Sequence, residues 1–251
     1  MVIKWNVTVP PLTGDVPRRG YVYLPEGYDR DPKKRYPVLY MFDGHNVFFD
    51  EDATYGKSWG MKEYLDAAGT ELIVVGIECN SEGWRRLNEY SPVDFYYEQT
   101  GSIKGQGKIY MDWLVNTLKP QIDATYPTLT GREDTLIAGS SMGGLMSLYA
   151  ACYYNHVFGR AACLSPSLWI EPKKVMALLE AGTPEPDTCI YMDYGTEEMP
   201  NHPQSRMLLQ KAVALLLEKQ VRLTFRIVPG GSHCEASWEK QIPIFMKCLG
   251  L

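Results

Sequence analysis

Short apolar runs rich in β-branched residues alternate with longer stretches that repeat apolar residues at helical spacing, and this alternation constrains the fold most. The predicted strands are residues 21–24, 38–42, 72–77, 135–138, 161–164, 189–193 and 224–228. The predicted helices are residues 110–126, 145–154, 205–219 and 238–249. Such alternation is typical of an α/β fold with a mostly parallel central sheet and helices on both faces. Because ligands bind beyond the carboxyl ends of parallel strands, we expect the chemistry to follow the strand ends.

The chain of 251 residues is long enough for one large α/β domain, and neither an internal repeat nor a linker divides it. We therefore predict a single domain over residues 1–251. Residues 80–107 interrupt the alternation because they are polar, aromatic and rich in glycine. We predict that they form a loop or cap insertion that borders the functional site.

Composition excludes several classes of protein. Hydrophobic residues make up 45% and charged residues 22%, as in ordinary globular proteins. The net charge of -5 provides no basic field for phosphate backbones, so we expect no nucleic-acid partner. The N-terminal segment has no apolar run of signal-peptide length, and no later stretch approaches the length of a membrane span, so we expect a cytoplasmic protein without a membrane partner. The six cysteines are widely spaced and form no CxxC pair, which predicts reduced thiols, no metal and no other cofactor.

The motif Gly-Ser-Ser-Met-Gly at residues 139–143 fits the GxSxG pattern. The pattern alone is a weak signal, but here it stands between an apolar strand-like run and an apolar helical pattern. This strand-turn-helix setting is that of the nucleophile elbow of α/β-hydrolases, and the alternative is a plain helix-entry turn. Side chains at Gly139 and Gly143 would collide with neighbouring elements, and Ser141 would stand exposed as the nucleophile. The backbone N–H of Met142 becomes one oxyanion donor at the start of the helix.

A serine nucleophile needs a histidine base, and His233 stands in a glycine-rich turn after the last predicted strand. The other histidines, His45, His156 and His202, fit turn or surface roles better. The acid follows the serine and precedes the histidine in α/β-hydrolases, and it lies just beyond a strand.

Three carboxylates fit this position: Asp193, Glu197 and Glu198. We favour Glu198, because a turn at Gly195 would point it toward the histidine, whereas Asp193 falls within the predicted strand.

The strand at 38–42 runs directly into Asp43-Gly44-His45, where α/β-hydrolases supply a second oxyanion donor. We assign this donor to the backbone N–H of His45, and the alternative is a plain strand-end turn. Aromatic residues in loop-like regions are candidates for substrate contacts or for core packing. The candidates are Trp59, Trp84 and Trp169, with Tyr96 and Tyr97 beside them.

With these residues in place, the chain resembles the Putative esterase family, which includes enterochelin esterase-like proteins, feruloyl and acetyl xylan esterases, S-formylglutathione hydrolase and mycolyltransferases. The resemblance rests on residues 36–44, 86–92, 139–144, 193–198 and 231–233, the last followed by Trp238. It implies an α/β-hydrolase fold. It also implies Ser141 as nucleophile, His233 as base, Glu198 as acid, and the backbones of Met142 and His45 as oxyanion donors.

The expected function is that of a serine carboxylic-ester hydrolase that forms an acyl-enzyme intermediate. The expected substrate is a small-molecule or oligosaccharide ester, either carbohydrate-linked, aryl of the feruloyl type, or acetyl. Three alternatives remain open: acyl transfer to a sugar hydroxyl, hydrolysis of an enterochelin-type siderophore ester, and ligand binding by a vestigial site. The sequence leaves the oligomeric state open.

Overall fold

The computed structural model describes residues 1–201 and 204–251, apart from the side chains of Met199 and Asn201. Its strands are β1 (Val2–Thr8), β2 (Pro17–Tyr23), β3 (Val38–Met41), β4 (Ile73–Ile77), β5 (Phe95–Tyr97), β6 (Gly101–Ile103), β7 (Thr135–Ser140), β8 (Arg160–Leu164), β9 (Cys189–Gly195) and β10 (Arg222–Val228). Within the described ranges, eight strands form one sheet in the order β1-β2-β4-β3-β7-β8-β9-β10. Strand β2 pairs antiparallel with both β1 and β4, and every other neighbouring pair in this sheet is parallel. The predicted mostly parallel sheet is therefore confirmed.

The helices follow the strands along the chain. They are α1 (Pro10–Thr13), α2 (Met61–Ala68), α3 (Arg85–Glu89), α4 (Gly107–Trp113), α5 (Lys119–Thr125), α6 (Met142–Tyr153), α7 (Pro172–Ala181), α8 (Ser205–Glu218), α9 (Glu235–Glu239) and α10 (Ile242–Cys248). A π-helical segment, Leu114–Leu118, joins α4 to α5, so the helix predicted at 110–126 is one continuous helical run. Across the described part of the chain, none of the helices combines the length and the apolar character that a membrane span needs.

The sheet separates two apolar layers, because successive side chains of a strand point to opposite faces. In β3, Val38 and Tyr40 join the layer that α4 to α8 cover, whereas Leu39 and Met41 join the layer that α2 and α10 cover. The predicted helices on both faces are thus observed. All four of these strand residues are at most 3% exposed, so the centre of the sheet forms the core.

The sequence patterns did not predict several of the observed elements. Strand β1 lies at the edge of the sheet and is mostly half-exposed, so its apolar alternation is incomplete. Helix α7 buries few residues and begins at a proline. Residues 80–107 contain α3 and the short β5–β6 hairpin, which pairs antiparallel outside the main sheet.

Candidate active site

Ser141 lies in a sharp turn between the end of β7 and the first residue of α6. Its φ of 59° and ψ of -123° are strained for a residue with a side chain. A β carbon on Gly139 would lie 2.7 Å from the backbone of Gly143, and one on Gly143 would lie 2.9 Å from Cβ of Phe42. The predicted steric role of both glycines is therefore confirmed, and the turn has the shape of a nucleophile elbow.

The last residue of β8 and the segment after it contact this turn. The Ser141 N–H donates to the carbonyl oxygen of Leu164 at 3.0 Å, and the Ser167 N–H donates to the Ser141 carbonyl at 3.1 Å. The two hydroxyl oxygens of Ser141 and Ser167 lie 3.4 Å apart. Among the described residues, no hydrogen bond joins the Ser141 hydroxyl to His233, although both side chains line the same cleft.

Glu198 and His233 form the shortest polar contact of the site. Nδ1 of His233 lies 2.6 Å from Oε2 of Glu198, whose side chain is 3% exposed. The other carboxylate oxygen, Oε1, accepts a hydrogen bond of 2.9 Å from the Gly195 N–H and one of 2.7 Å from the Ser165 hydroxyl. Both oxygens therefore have partners, and the carboxylate is held in one orientation.

The other two candidate acids point elsewhere. Asp193 lies within β9, as predicted, and it accepts hydrogen bonds from the Tyr191 hydroxyl at 2.7 Å and the Ser165 N–H at 3.2 Å. Burial raises the pKa of Asp193 to about 6. Glu197 is exposed, and its backbone N–H donates to the Gly231 carbonyl at 2.9 Å. Of the three carboxylates, Glu198 is the one in contact with His233.

The turn after β3 is held by an ion pair. Asp43 has a left-handed φ of 55°, and both its carboxylate oxygens accept hydrogen bonds of 2.7 Å from Arg86. Burial opposes ionisation of Asp43, but the guanidinium of Arg86 outweighs it and lowers the pKa of the carboxyl below its ordinary range. The turn continues as the 3₁₀ segment Gly44–Asn46, which carries His45.

The two predicted oxyanion donors are backbone amides of buried residues. In the described part of the chain, neither the N–H of His45 nor that of Met142 donates a hydrogen bond. A buried N–H without an acceptor is unfavourable unless a ligand supplies one. Both amides are thus available to a further acceptor.

The histidines other than His233 lie in different surroundings. Nε2 of His45 lies 3.0 Å from the Thr54 hydroxyl, and burial lowers the pKa of this imidazole, which keeps it neutral. His156 is exposed and packs beside Tyr154. His202 lies outside the described residues.

Ser141, His45 and His233 open onto a cleft of about 470 Å³, here called the Ser141 cleft. Its lining residues are Asp43, His45, Asn46, Thr54, Tyr55, Cys79, Asn80, Ser81, Gly83, Trp84, Arg86, Leu87, Ser140, Ser141, His233, Glu235 and Trp238. A larger cavity of about 710 Å³ lies between the Tyr23–Asp29 and Leu65–Glu71 regions, and it contains none of the predicted site residues. Chemistry rather than size identifies the Ser141 cleft as the candidate active site.

The three candidate tryptophans lie in different places, and of these Trp84 lines the cleft. Trp84 lines the Ser141 cleft and is 53% exposed. Trp59, a candidate for either a substrate contact or core packing, is a core residue and not a substrate contact: its side chain is 3% exposed and stacks on Trp238 with ring centres 6.0 Å apart. It fills the layer beneath α10, where an indole stabilises the fold by burial. Trp169 packs near Tyr97, with ring centres 6.4 Å apart, and does not line the cleft.

Sequence reasoning missed Ser165 and Ser167, which contact Glu198 and Ser141, and Glu235, which lines the cleft. The two serines directly follow β8, so the rule that chemistry follows strand ends pointed at them. Burial raises the pKa of Glu235, whose Oε1 accepts a hydrogen bond of 3.2 Å from Asn46. The sequence feature that could have identified Glu235 is its position two residues after His233.

Asp43, His45 and Cys79 place one potential metal ligand each within 4.8 Å of one another. Both oxygens of Asp43 are taken by Arg86, and burial raises the pKa of the Cys79 thiol well above its usual value. A metal ion here would have to deprotonate the Cys79 thiol and compete with Arg86 for the Asp43 carboxylate. In this arrangement the Asp43 carboxylate is paired with Arg86, and His45 contacts Thr54.

The mostly parallel sheet, with a serine in a strained turn between β7 and α6, defines an α/β-hydrolase. The chain belongs to the Putative esterase family, whose model matches residues 15–245.

The chain is also similar to individual proteins and solved structures. The protein YbbA of Bacillus subtilis (strain 168), described as uncharacterized, is 26% identical over 72% of this chain and 69% of its own length. The iron(III) salmochelin esterase of Escherichia coli O6:H1 is 34% identical over 47% of this chain, and the match spans 28% of that protein. Among solved structures, the siderophore hydrolase EstA of Aspergillus nidulans has a TM-score of 0.73 and 16% identity, covering 99% of this chain and 95% of that one. This last likeness concerns the fold.

Proposed function

We propose that this protein hydrolyses carboxylic esters through an acyl intermediate on Ser141, with His233 as base and Glu198 as its partner acid. The observation that carries the proposal is the 2.6 Å contact between Glu198 and His233 at the cleft onto which Ser141 opens. An ionised carboxylate only accepts hydrogen bonds, so Nδ1 of His233 carries the proton that it donates. Nε2 is then the nitrogen that is free to accept a proton.

In the first half of the reaction, Oγ of Ser141 attacks the ester carbonyl carbon while Nε2 of His233 takes the hydroxyl proton. The tetrahedral oxyanion accepts hydrogen bonds from the N–H groups of Met142 and His45. When the ester carbon–oxygen bond breaks, His233 returns the proton to the leaving alcohol. The acyl group stays on Ser141.

In the second half, water takes the place of the alcohol. His233 removes a proton from the water as its oxygen attacks the acyl carbon, and the same two amides bind the second oxyanion. The proton then returns to Oγ of Ser141 and the carboxylic acid leaves. The buried Glu198 stabilises the imidazolium in both halves.

An ester with an aryl group fits the Ser141 cleft best. Trp84 is 53% exposed and Tyr55 is 84% exposed, and both line the cleft. Exposed aromatic side chains at a concave site provide stacking surfaces for planar groups. A feruloyl-type ester is the first candidate. A siderophore ester is the second, because one relative in sequence is named iron(III) salmochelin esterase.

The test compares the wild-type chain with Ser141→Ala, using Ser102→Ala as a matched control at an exposed serine of β6. The substrates are aryl esters of increasing acyl length, methyl ferulate, acetylated xylan and a catecholate siderophore ester. We expect Ser141→Ala to lose at least about 10³-fold in kcat/KM and the control to keep wild-type rates. A fluorophosphonate should label Ser141 in the wild type. Equal rates for wild type and Ser141→Ala would overturn the proposal, and accumulation of an acylated sugar acceptor would identify acyl transfer instead.

A further inference from the structure

We propose that Ser165 is a positioning residue that holds the Glu198 carboxylate for His233. This inference rests on the proposed function. The Ser165 hydroxyl donates a hydrogen bond of 2.7 Å to Oε1 of Glu198 and accepts one of 3.0 Å from the indole Nε1 of Trp238. All three side chains are at most 5% exposed, so solvent does not compete for these bonds.

The direction of this chain of hydrogen bonds is determined by its two ends. An indole N–H donates and never accepts, so the Ser165 oxygen is the acceptor from Trp238. The one hydroxyl proton of Ser165 is then free to point at Glu198, which accepts when ionised. Trp238 orients the hydroxyl, and the hydroxyl orients the carboxylate.

The backbone of Ser165 is itself constrained. Its φ of 43° lies in the left-handed region, where residues with a side chain are uncommon. Its N–H lies 3.1 Å from the carbonyl oxygen of Asp193 and 3.2 Å from Oδ1 of the same residue. A strained conformation persists when surrounding contacts over-determine it, and here those contacts aim the hydroxyl at Glu198.

The same short turn also reaches the nucleophile. Two residues beyond Ser165, the Ser167 N–H donates to the Ser141 carbonyl at 3.1 Å. Residues 165–167 therefore connect the turn at Ser141 with the Glu198 carboxylate. Among the described residues, no direct hydrogen bond joins that turn to Glu198. The indole of Trp238 packs edge-to-face with the His233 ring, with ring centres 5.0 Å apart. Trp238 therefore contacts both Ser165 and the proposed base.

Two substitutions separate the hydroxyl from the backbone strain. Ser165→Ala removes the hydroxyl and keeps the strain, whereas Ser165→Gly removes both. We expect both variants to lower kcat by about tenfold, with KM within about twofold of wild type, because a misdirected acid affects the transition state rather than substrate binding. Ser91→Ala is the matched control, since Ser91 is fully buried and its hydroxyl donates to the Val93 carbonyl, away from the cleft.

A proton NMR measurement gives a readout that a purely structural role would not move. The proton shared by His233 and Glu198 should give a far-downfield resonance, assigned by its loss in Glu198→Gln. We expect this resonance to shift or broaden in both Ser165 variants and to stay unchanged in Ser91→Ala. Trp238→Phe should affect kcat less in the Ser165→Ala background than in wild type, because Trp238 acts through the same hydroxyl.

A wild-type kcat together with an unchanged resonance in Ser165→Ala would overturn the inference. A loss of thermal stability with neither readout changed would overturn it as well, since the hydroxyl would then serve folding alone. The resonance needs no substrate. Absence of esterase activity in the wild type would therefore refute the proposed function while the resonance still decides the role of Ser165.

Discussion

Gly195 and Gly231 pack backbone against backbone, and a β carbon on Gly195 would overlap the carbonyl oxygen of Gly231. Gly195 ends β9 just before the segment that carries Glu198, and Gly231 stands two residues before His233. The Glu197 N–H donates to the same Gly231 oxygen at 2.9 Å. The close approach of these two backbones brings the carboxylate and the imidazole together.

Gly195→Ala should therefore separate the two segments. Relief of the overlap requires a backbone shift on the order of 1 Å, and misplacement of that size costs about 10²-fold in rate. We expect kcat to fall by about that factor while Ser141 stays in place. Steady-state kinetics combined with thermal unfolding measure this, and a folded variant with wild-type kcat would contradict the role of the contact.

Replacement of the acid discriminates between neighbouring carboxylates. Glu198→Gln should lower kcat by about 10³- to 10⁴-fold, because an amide favours the wrong imidazole tautomer and does not stabilise the imidazolium. The matched control is Glu197→Gln at the exposed neighbour, and its rate should stay at the wild-type level. Kinetic constants for the two variants decide the matter, and a larger loss in Glu197→Gln would reassign the acid.

Stability should depend on pH through Asp193. Burial raises its pKa to about 6, above the ordinary value of an aspartate, so the folded protein binds the proton more tightly than the unfolded chain. Stabilisation by this group is present at low pH and lost as pH rises through about 6. The free energy of unfolding of Asp193→Asn, relative to wild type, should rise by about 2–3 kcal/mol between about pH 4 and pH 7.

Urea unfolding of wild type and Asp193→Asn at both pH values measures this difference. The control is Asp15→Asn, at an exposed aspartate in the turn before β2. Parallel pH dependences for wild type and Asp193→Asn would show that Asp193 does not titrate in this range.

The Asp43–Arg86 pair is expected to stabilise the turn that carries His45. Arg86→Ala leaves the buried Asp43 carboxylate without its counter-charge, and removal of one partner of such a pair is strongly destabilising. The Arg86 side chain is 29% exposed, so we expect a loss of about 2–3 kcal/mol, below the range for a fully buried pair. Denaturant unfolding measures it, with the exposed neighbour Arg85→Ala as control. Equal losses for the two variants would mean that the pair contributes no more than a surface contact.

Substrate preference should depend on Trp84. Trp84→Ala removes an exposed aromatic surface from the cleft, and we expect KM for aryl-acyl esters to rise by about two- to tenfold, the range of aromatic contact energies. KM for acetyl esters should change little. Tyr96→Ala is the control, because Tyr96 is 68% exposed and does not line the cleft. A uniform rise in KM for every ester would instead indicate a general change in the shape of the cleft.

The sequence alone determined the fold class and where each candidate stands relative to a strand end. Periodicity and turn glycines are local properties, since alternation of side chains and steric clashes at Gly139 depend on residues close along the chain. The chain order of Ser141, Glu198 and His233 could likewise be predicted, because each residue follows a strand that its local pattern indicates. Edge elements such as β1 were missed, because a half-exposed strand carries a weak apolar signal.

The tertiary structure decided which groups touch. Glu198 rather than Glu197 reaches His233 because Gly195 and Gly231, which are distant in sequence, pack together. Trp59 and Trp84 look alike in sequence, yet the stacking of Trp59 on Trp238 makes one a core residue while the other lines the cleft. Such contacts join residues far apart along the chain, and side-chain direction across them depends on the packing of whole elements. No local pattern encodes that packing.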